Sequence, residues 1–179
     1  MILISESLSL KDIHIENHSE LVSLMERIYP PPYKHLWKNN DCSWYLNKCY
    51  GISNFKEELK DTNASYYFVI NDAITVGILR LVVNQIIKEF PNELTTYIHR
   101  IYLSSDVQGK GIGKQLFNWV ENVARQNNNK YIWLEAMDTQ HQALSFYKKM
   151  GYKETSSMSL DFERINEHLS GMLLMSKTL

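Results

Sequence analysis

Two spacings of apolar residues organise the chain. Leu21, Leu24, Met25 and Ile28 recur every three to four residues, which predicts a helix entered at Asn17 or Ser19. Pro30-Pro31-Pro32 is expected to end it, because proline lacks a donor and restricts the residue before it. A second stripe, Ile112, Leu116, Phe117, Val120, Val123 and Ala124, predicts a helix that stops at Asn127-Asn128-Asn129. A third helix over Gln142–Lys149 places Ala143, Phe146, Tyr147 and Met150 on one side and is closed by Gly151. Short helices fit Ser43–Lys48 and Asn54–Lys60. Strand patterns fall within Ile2–Ile15, at Tyr66–Ile70 and Ile74–Val83 about an Asn71-Asp72 turn, at Thr96–Leu103 and at Tyr131–Ala136. Two more lie near Tyr152–Leu160 and Met172–Lys177. A polar connection interrupted by Pro91 is expected between Val83 and about Leu94.

This order of elements predicts one α+β domain over residues 1–179 with a mixed sheet flanked by helices. Composition agrees with a globular domain: 179 residues, 44% hydrophobic and 22% charged. The formal net charge of -1 argues against a broadly basic nucleic-acid binder. No apolar run approaches the roughly 20 residues needed to span a bilayer, and the start of the chain lacks the basic and apolar regions of a secretion signal. A cytoplasmic protein is therefore expected, with no membrane partner. Cys42 and Cys49 are not a CxxC pair and have no histidine ligands at a matching spacing, so they are read as free thiols and no metal is expected.

The segment carrying chemistry is Ile101-Tyr-Leu-Ser-Ser-Asp-Val-Gln-Gly-Lys-Gly-Ile-Gly113, between a strand and the strongest helix. Glycines let a ligand approach the backbone, and the unpaired N–H groups of a helix start favour anions. A strand, a glycine loop and a helix N-terminus thus make a phosphate cradle. A Walker loop is excluded because Gln115 follows Gly113-Lys114, and the dinucleotide fingerprint fails on the spacing of Gly109, Gly111 and Gly113. What remains is Gln/Arg-x-x-Gly-x-Gly/Ala, matched by Gln108-Gly-Lys-Gly-Ile-Gly113. With Arg100–Leu103 before it and Ala143-Leu-Ser-Phe-Tyr-Lys-Lys-Met-Gly-Tyr152 after it, the chain resembles the GNAT superfamily of acyl-CoA-dependent N-acetyltransferases, most closely its bacterial small-molecule and polyamine-acetylating members.

The resemblance implies a mostly antiparallel sheet of six to seven strands, splayed between the strands at 96–103 and 131–136. It implies acceptor-site helices over residues 1–62, an acyl-CoA-binding core over 63–152 and terminal strands over 153–179. Acetyl-CoA would be the co-substrate. Its pantetheine arm would lie along Ile101, Tyr102 and Leu103. Its pyrophosphate would be held by Gly109, Lys110, Gly111, Ile112, Gly113 and Lys114, braced by Gln108. Gln140 stands where many members place an asparagine toward the pantetheine. Tyr147 matches the tyrosine whose phenol protonates the departing thiolate, whereas on the helical stripe alone it reads as a core residue.

The acceptor is expected to be the primary amine of a small molecule or peptide, attacking the thioester directly. Two bases compete for its proton: His99, near the position of a glutamate in many relatives, and Glu135 at the end of the next strand. Tyr29, Tyr33, His35, Trp37, Trp44, Tyr45 and Tyr50 crowd the first third, where they either pack short helices or face a cationic amine, with Glu57, Glu58 and Asp61 adding negative charge. A homodimer is compatible with the sequence. The competing function is a catalytically silent CoA-binding sensor or interaction module.

Overall fold

The computed structural model describes residues 1–179. Its elements in chain order are β1 (Ile2–Leu3), β2 (Leu8–Asp12), α1 (His18–Ile28), α2 (Pro30–Tyr33), α3 (Ser43–Tyr50), α4 (Ile52–Glu58), β3 (Ala64–Asn71), β4 (Ile74–Ile87), β5 (Phe90–Leu103), α5 (Ile112–Gln126), β6 (Tyr131–Met137), α6 (His141–Lys149), β7 (Lys153–Ser159) and β8 (Gly171–Thr178). The strands form one eight-stranded sheet in the order β1-β2-β3-β4-β5-β6-β8-β7. β5 and β6 run parallel, and the pairs β1–β2, β2–β3, β6–β8 and β7–β8 are antiparallel. This is the mixed α+β class expected, with one strand more than the six to seven anticipated. No helix is long and apolar enough to cross a membrane.

The chain divides into two compact units, residues 1–80 with 100–112, and residues 81–99 with 113–179. In the first unit, α1 buries the predicted stripe Leu21, Leu24, Met25 and Ile28. The prolines do not simply stop it. The α1 register ends at Tyr29, and Pro30 then opens the short helix α2, where the missing N–H would have been unpaired anyway. The β3–β4 turn falls one residue later than expected, on Asp72 and Ala73, both left-handed at φ 48° and 64°, the conformation of a two-residue hairpin turn.

In the second unit the expected loop before Leu94 does not exist. β4 runs on to Ile87 and β5 begins at Phe90, with Pro91 inside the strand. Phe90 stacks on Tyr131 at 3.9 Å and 8°, and Glu89 accepts a hydrogen bond from Ser156, contacts made by residues distant in sequence. Asn129, 3% exposed, ends the α5 segment with its amide fully used. Its Oδ1 accepts from Thr96 Oγ1 and the Asn84 backbone, while its Nδ2 donates to Asn84 Oδ1 and the Asn127 carbonyl. Four partners satisfy every hydrogen-bonding position of that side chain, which removes the penalty of burying it. On α6 the buried residue is Leu144, which the predicted stripe omitted, whereas Ala143, Phe146, Tyr147 and Met150 are half-buried.

Candidate active site

β5 contributes candidate residues to each unit, and its alternation sorts them. Arg100 and Tyr102 share one face; Tyr97, His99, Ile101 and Leu103 share the other. Pairing with β6 runs from Thr95↔Tyr131 to Ile98↔Leu134, yet β5 continues to Leu103 and β6 to Met137. The ladder therefore ends immediately before His99 and Glu135.

In the first unit, Gly77 on β4 lies against the end of β5. A Cβ at that position would overlap the Tyr102 carbonyl oxygen and press on the Leu103 side chain. The sequence signal was an isolated glycine inside a strand pattern, which marks a close backbone approach. The chain then turns through Ser104, whose amide donates to the Val76 carbonyl at 2.8 Å, and a 3-10 turn over Ser105–Val107. Gln108, Gly109, Lys110 and Gly111 are exposed, and Ile112 is buried as the anchor of α5. Gly109 and Gly111 adopt φ of +75° and +78°, and a Cβ on either would meet no atom within 4 Å. Glycine is thus required there by backbone conformation, and the space above the loop is open. That combination fits an anionic group lying on the backbone. Not every amide of the loop is available: the Lys110 N–H turns back to the Val107 carbonyl at 3.4 Å.

The aromatic crowd of the first unit is a packed cluster. Tyr29 stacks on Tyr33 and Tyr45 at 4.8 and 4.7 Å, Trp37 stacks on Tyr45 at 4.8 Å, and Tyr102 meets Tyr29 and Tyr33 edge-on. The Trp37 indole donates to the Tyr29 hydroxyl at 3.1 Å. Burial pushes the phenols of Tyr29, Tyr45 and Tyr50 far above their ordinary range, so they stay neutral. Tyr29, Trp37 and Tyr50 are at most 2% exposed and belong to the core. Of the three acidic residues weighed for an acceptor site, Glu58 is committed to Arg100 and Arg80, Glu57 pairs with Lys60 at the surface, and Asp61 receives the Asn63 amide. An open cleft of 640 Å³ lies elsewhere on this unit, walled by Met25, Pro30 and Leu46 with Glu26 and Asp41 at its sides. Cys42 and Cys49 are free thiols, each raised in pKa chiefly by burial. No group of three or more His, Cys, Asp or Glu side chains is arranged to hold a metal.

In the second unit, Gly113 is the packing glycine of the loop: a Cβ there would touch the Phe146 ring at 3.4 Å. Lys114 is exposed. Gln140 is the N-cap residue of α6, its carbonyl accepting from the Leu144 amide at 3.0 Å, and its side chain makes no capping bond. Tyr147 is half-buried, with its ring 5.6 Å from Phe117, 5.7 Å from Phe146 and 6.4 Å from Tyr152. Tyr152 is the core tyrosine of this group, 2% exposed and raised in pKa by burial and then by Glu121 and Tyr147. His99 and Glu135 are both half-buried and both flank Tyr97. The His99 ring lies 5.2 Å from that of Tyr97, and Glu135 Oε2 accepts the Tyr97 hydroxyl proton at 2.6 Å. Tyr97 itself stacks flat on Trp133 at 3.8 Å and 4°. Sequence reasoning named both candidate bases and missed the tyrosine between them, whose only signal was its place two residues before His99.

Comparison with known proteins finds relatives in sequence and in fold. The model of the GNAT acetyltransferase family matches residues 19–152. An uncharacterised N-acetyltransferase encoded in the pepI 3′ region of Lactobacillus delbrueckii subsp. lactis is 29% identical over 111 residues, which span 62% of this chain and 64% of that protein. Among solved structures, the PaiA N-acetyltransferase of Thermoplasma acidophilum in complex with coenzyme A superposes with a TM-score of 0.72 at 18% identity, covering 97% of this chain and 99% of that one. A point mutant of the spermidine N-acetyltransferase SpeG of Vibrio cholerae superposes with a TM-score of 0.65 at 14% identity, covering 97% of this chain and 95% of that one.

Proposed function

The chain belongs to the GNAT acetyltransferase family, and from that premise we propose that it transfers the acetyl group of acetyl-CoA to a primary amine by direct attack. The observation that carries the reading is the pair Gly109 and Gly111, left-handed with open space above them, at the entry to α5. Such a loop offers backbone donors and the positive end of a helix to a pyrophosphate. Gln108, Gly109, Gly111, Ile112, Gly113 and Lys114 would hold that group, with Lys110 supplying charge rather than an amide. Ile101, Tyr102 and Leu103 would carry the pantetheine arm on the part of β5 beyond its ladder with β6.

Tyr147 has the chemistry of a general acid. A phenol with a reference pKa near 10 keeps its proton at neutral pH and can give it to a leaving thiolate. Its partial exposure on α6, beside the buried Leu144 and Tyr152, supports that role over a purely packing one. The PaiA structure holds coenzyme A, and SpeG acts on spermidine; a polyamine or a similar small amine heads the acceptor classes for this chain. The buried phenols and the committed Glu58 favour charge recognition of the acceptor outside the aromatic cluster.

The test is a turnover screen with acetyl-CoA against polyamines, amino acids, aminoglycosides and peptide N-termini, run beside calorimetry with CoA. CoA binding with acetylation of one acceptor class is the expected result. Binding with no turnover on any class would return the chain to a CoA-binding module, and absence of binding would overturn the reading altogether.

A further inference from the structure

Strands β6, β8 and β7, all within the second unit, carry two rows of side chains on one face of the sheet. Opposed residues of antiparallel strands project to the same side. The register therefore aligns Glu135, Leu174 and Ser156 in one row and Met137, Met172 and Met158 in the next. The tip of the β4–β5 hairpin meets the far end of the first row, where Ser156 Oγ donates to Glu89 Oε1 at 2.9 Å. Neighbouring strands lie about 4.8 Å apart, which puts the Ser156 and Glu135 positions about 10 Å apart across the face.

Glu89 is buried for a charged residue at a hairpin tip. Its side chain is 10% exposed, and its one ion-pair partner, Lys88 Nζ, lies 3.6 Å from the same Oε1 on a side chain 82% exposed. A hydroxyl and a solvated lysine compensate weakly for a carboxylate taken out of water. Oε2 has no protein donor. The methionine row beside it is graded outward: Met137 is buried, Met172 half-buried and Met158 39% exposed. Methionine is unbranched and adapts to what lies against it. A nearly buried carboxylate, an adaptable apolar strip and a second carboxylate at the other end match a ligand with two cationic ends and an aliphatic middle.

We propose that Glu89 determines acceptor specificity by binding the distal ammonium of a linear diamine or polyamine. The inference rests on the acetyltransferase reading above and narrows its acceptor. The reacting amine lies at the Glu135 end of the row, where the β5–β6 ladder stops. The aliphatic chain runs along the methionines, and the distal ammonium takes the place of Lys88 Nζ at Glu89. Ser156 is the positioning residue: it holds Oε1 and leaves Oε2 for the ligand. A monoamine of the same length keeps the methionine contacts and lacks the charge-assisted hydrogen bond.

The experiment compares 1,4-diaminobutane and spermidine with n-butylamine, which has the same reacting group without the distal charge. Calorimetry measures binding of each amine to the protein in the presence of CoA, and steady-state kinetics measures acetylation at fixed pH and ionic strength. Wild type should favour the diamine and spermidine by at least about tenfold in Kd and in kcat/KM. Glu89→Gln keeps the shape and the acceptor for Ser156. It should raise KM for the two polycations about ten- to a hundredfold, with kcat and the butylamine kinetics within about twofold of wild type. Ser156→Ala should produce a smaller loss of the same kind. Met158→Lys is a second variant at an exposed position, two residues and about 6.6 Å along β7 from Ser156. Its tethered ammonium should compete with the polycations and spare butylamine. Equal affinity of wild type for diaminobutane and butylamine overturns the anchor, as does an equal loss on both amines in Glu89→Gln or a fall in kcat alone. Acetylation without discrimination overturns the anchor and leaves the acetyltransferase reading standing. Diamine binding that Glu89→Gln abolishes, with no acetylation of any amine, leaves the anchor standing and overturns that reading.

Discussion

Arg100 Nη1 donates to Glu58 Oε2 at 2.6 Å, joining the end of β5 to α4 inside the first unit. Arg80 Nε lies 3.8 Å from the same oxygen, and the Arg100 guanidinium sits 5.1 Å over the Tyr50 ring. The side chains of Arg80, Arg100 and Glu58 are only 6%, 7% and 12% exposed. One carboxylate thus faces two desolvated cations. Breaking such a group from one side is far more costly than its net contribution, because uncompensated charge is left behind.

Glu58→Gln should therefore destabilise the protein by about 3–5 kcal/mol, read as a lower midpoint in urea at unchanged slope. The neighbouring Glu57, exposed and paired with Lys60, is the control, and Glu57→Gln should stay within about 0.5 kcal/mol of wild type. Equal effects from the two substitutions would show that Glu58 compensates nothing.

The loop makes a different prediction. Gly111→Asp places a side chain at φ +78°, a strained conformation costing about 1–2 kcal/mol, and adds a carboxylate where the pyrophosphate is assigned. CoA affinity should fall by at least about a hundredfold, equivalent to roughly 3 kcal/mol. Gly111→Ala carries most of the backbone strain without the charge, and should cost stability while weakening CoA less. If calorimetry gives the Asp variant wild-type affinity, the pyrophosphate lies elsewhere.

What was legible in the sequence was what neighbours decide. The α1 and α5 stripes, the glycine loop and the cap at Gly151 each follow from residues within a turn or two of one another, and each stands where expected. What was illegible depends on partners far along the chain. Pro91 read as a loop, yet the strand persists around it because Phe90 rests on Tyr131 and Glu89 holds Ser156. Glu58 read as a charge for the acceptor, because nothing near it announces Arg80 and Arg100. Tyr97 read as one aromatic in an alternating strand, and only the parallel register of β5 and β6 brings it to Glu135.

The buried tyrosines give the protein a defined response to alkali. Burial is the largest cause of the raised pKa of Tyr29, Tyr50, Tyr66 and Tyr152, each at most 6% exposed. Their folded-state pKa exceeds the unfolded value near 10, so between those limits the unfolded chain has lost protons that the native one keeps. Stability is then fully present below about pH 10 and falls as pH rises, by up to about 1.4 kcal/mol per pH unit for each such tyrosine. Tyrosinate absorbance should appear together with the loss of circular dichroism in one cooperative step. Ionisation of all eleven tyrosines near pH 10 with the fold intact would contradict the burial assigned to these four.

The last prediction separates two readings of Tyr147. It is half-buried on α6 and touches Phe117, Phe146 and Tyr152 through its ring. Tyr147→Phe keeps that ring and its packing, so stability should change by less than about 1 kcal/mol, the contribution of a single hydroxyl's hydrogen bond. CoA affinity should be unchanged, since the phenol is assigned to the departing sulfur and not to the phosphates. Turnover should fall roughly ten- to a thousand-fold, the range of lost general-acid catalysis or somewhat below it. The leaving ability of the donor's thiol offers a further check. If protonation of the thiolate limits the reaction, an acetyl donor whose thiol leaves more readily should recover much of the loss in Tyr147→Phe and change the wild type little. A variant with full turnover on the natural thioester, at conditions where chemistry limits the rate, would leave Tyr147 as a packing residue of α6.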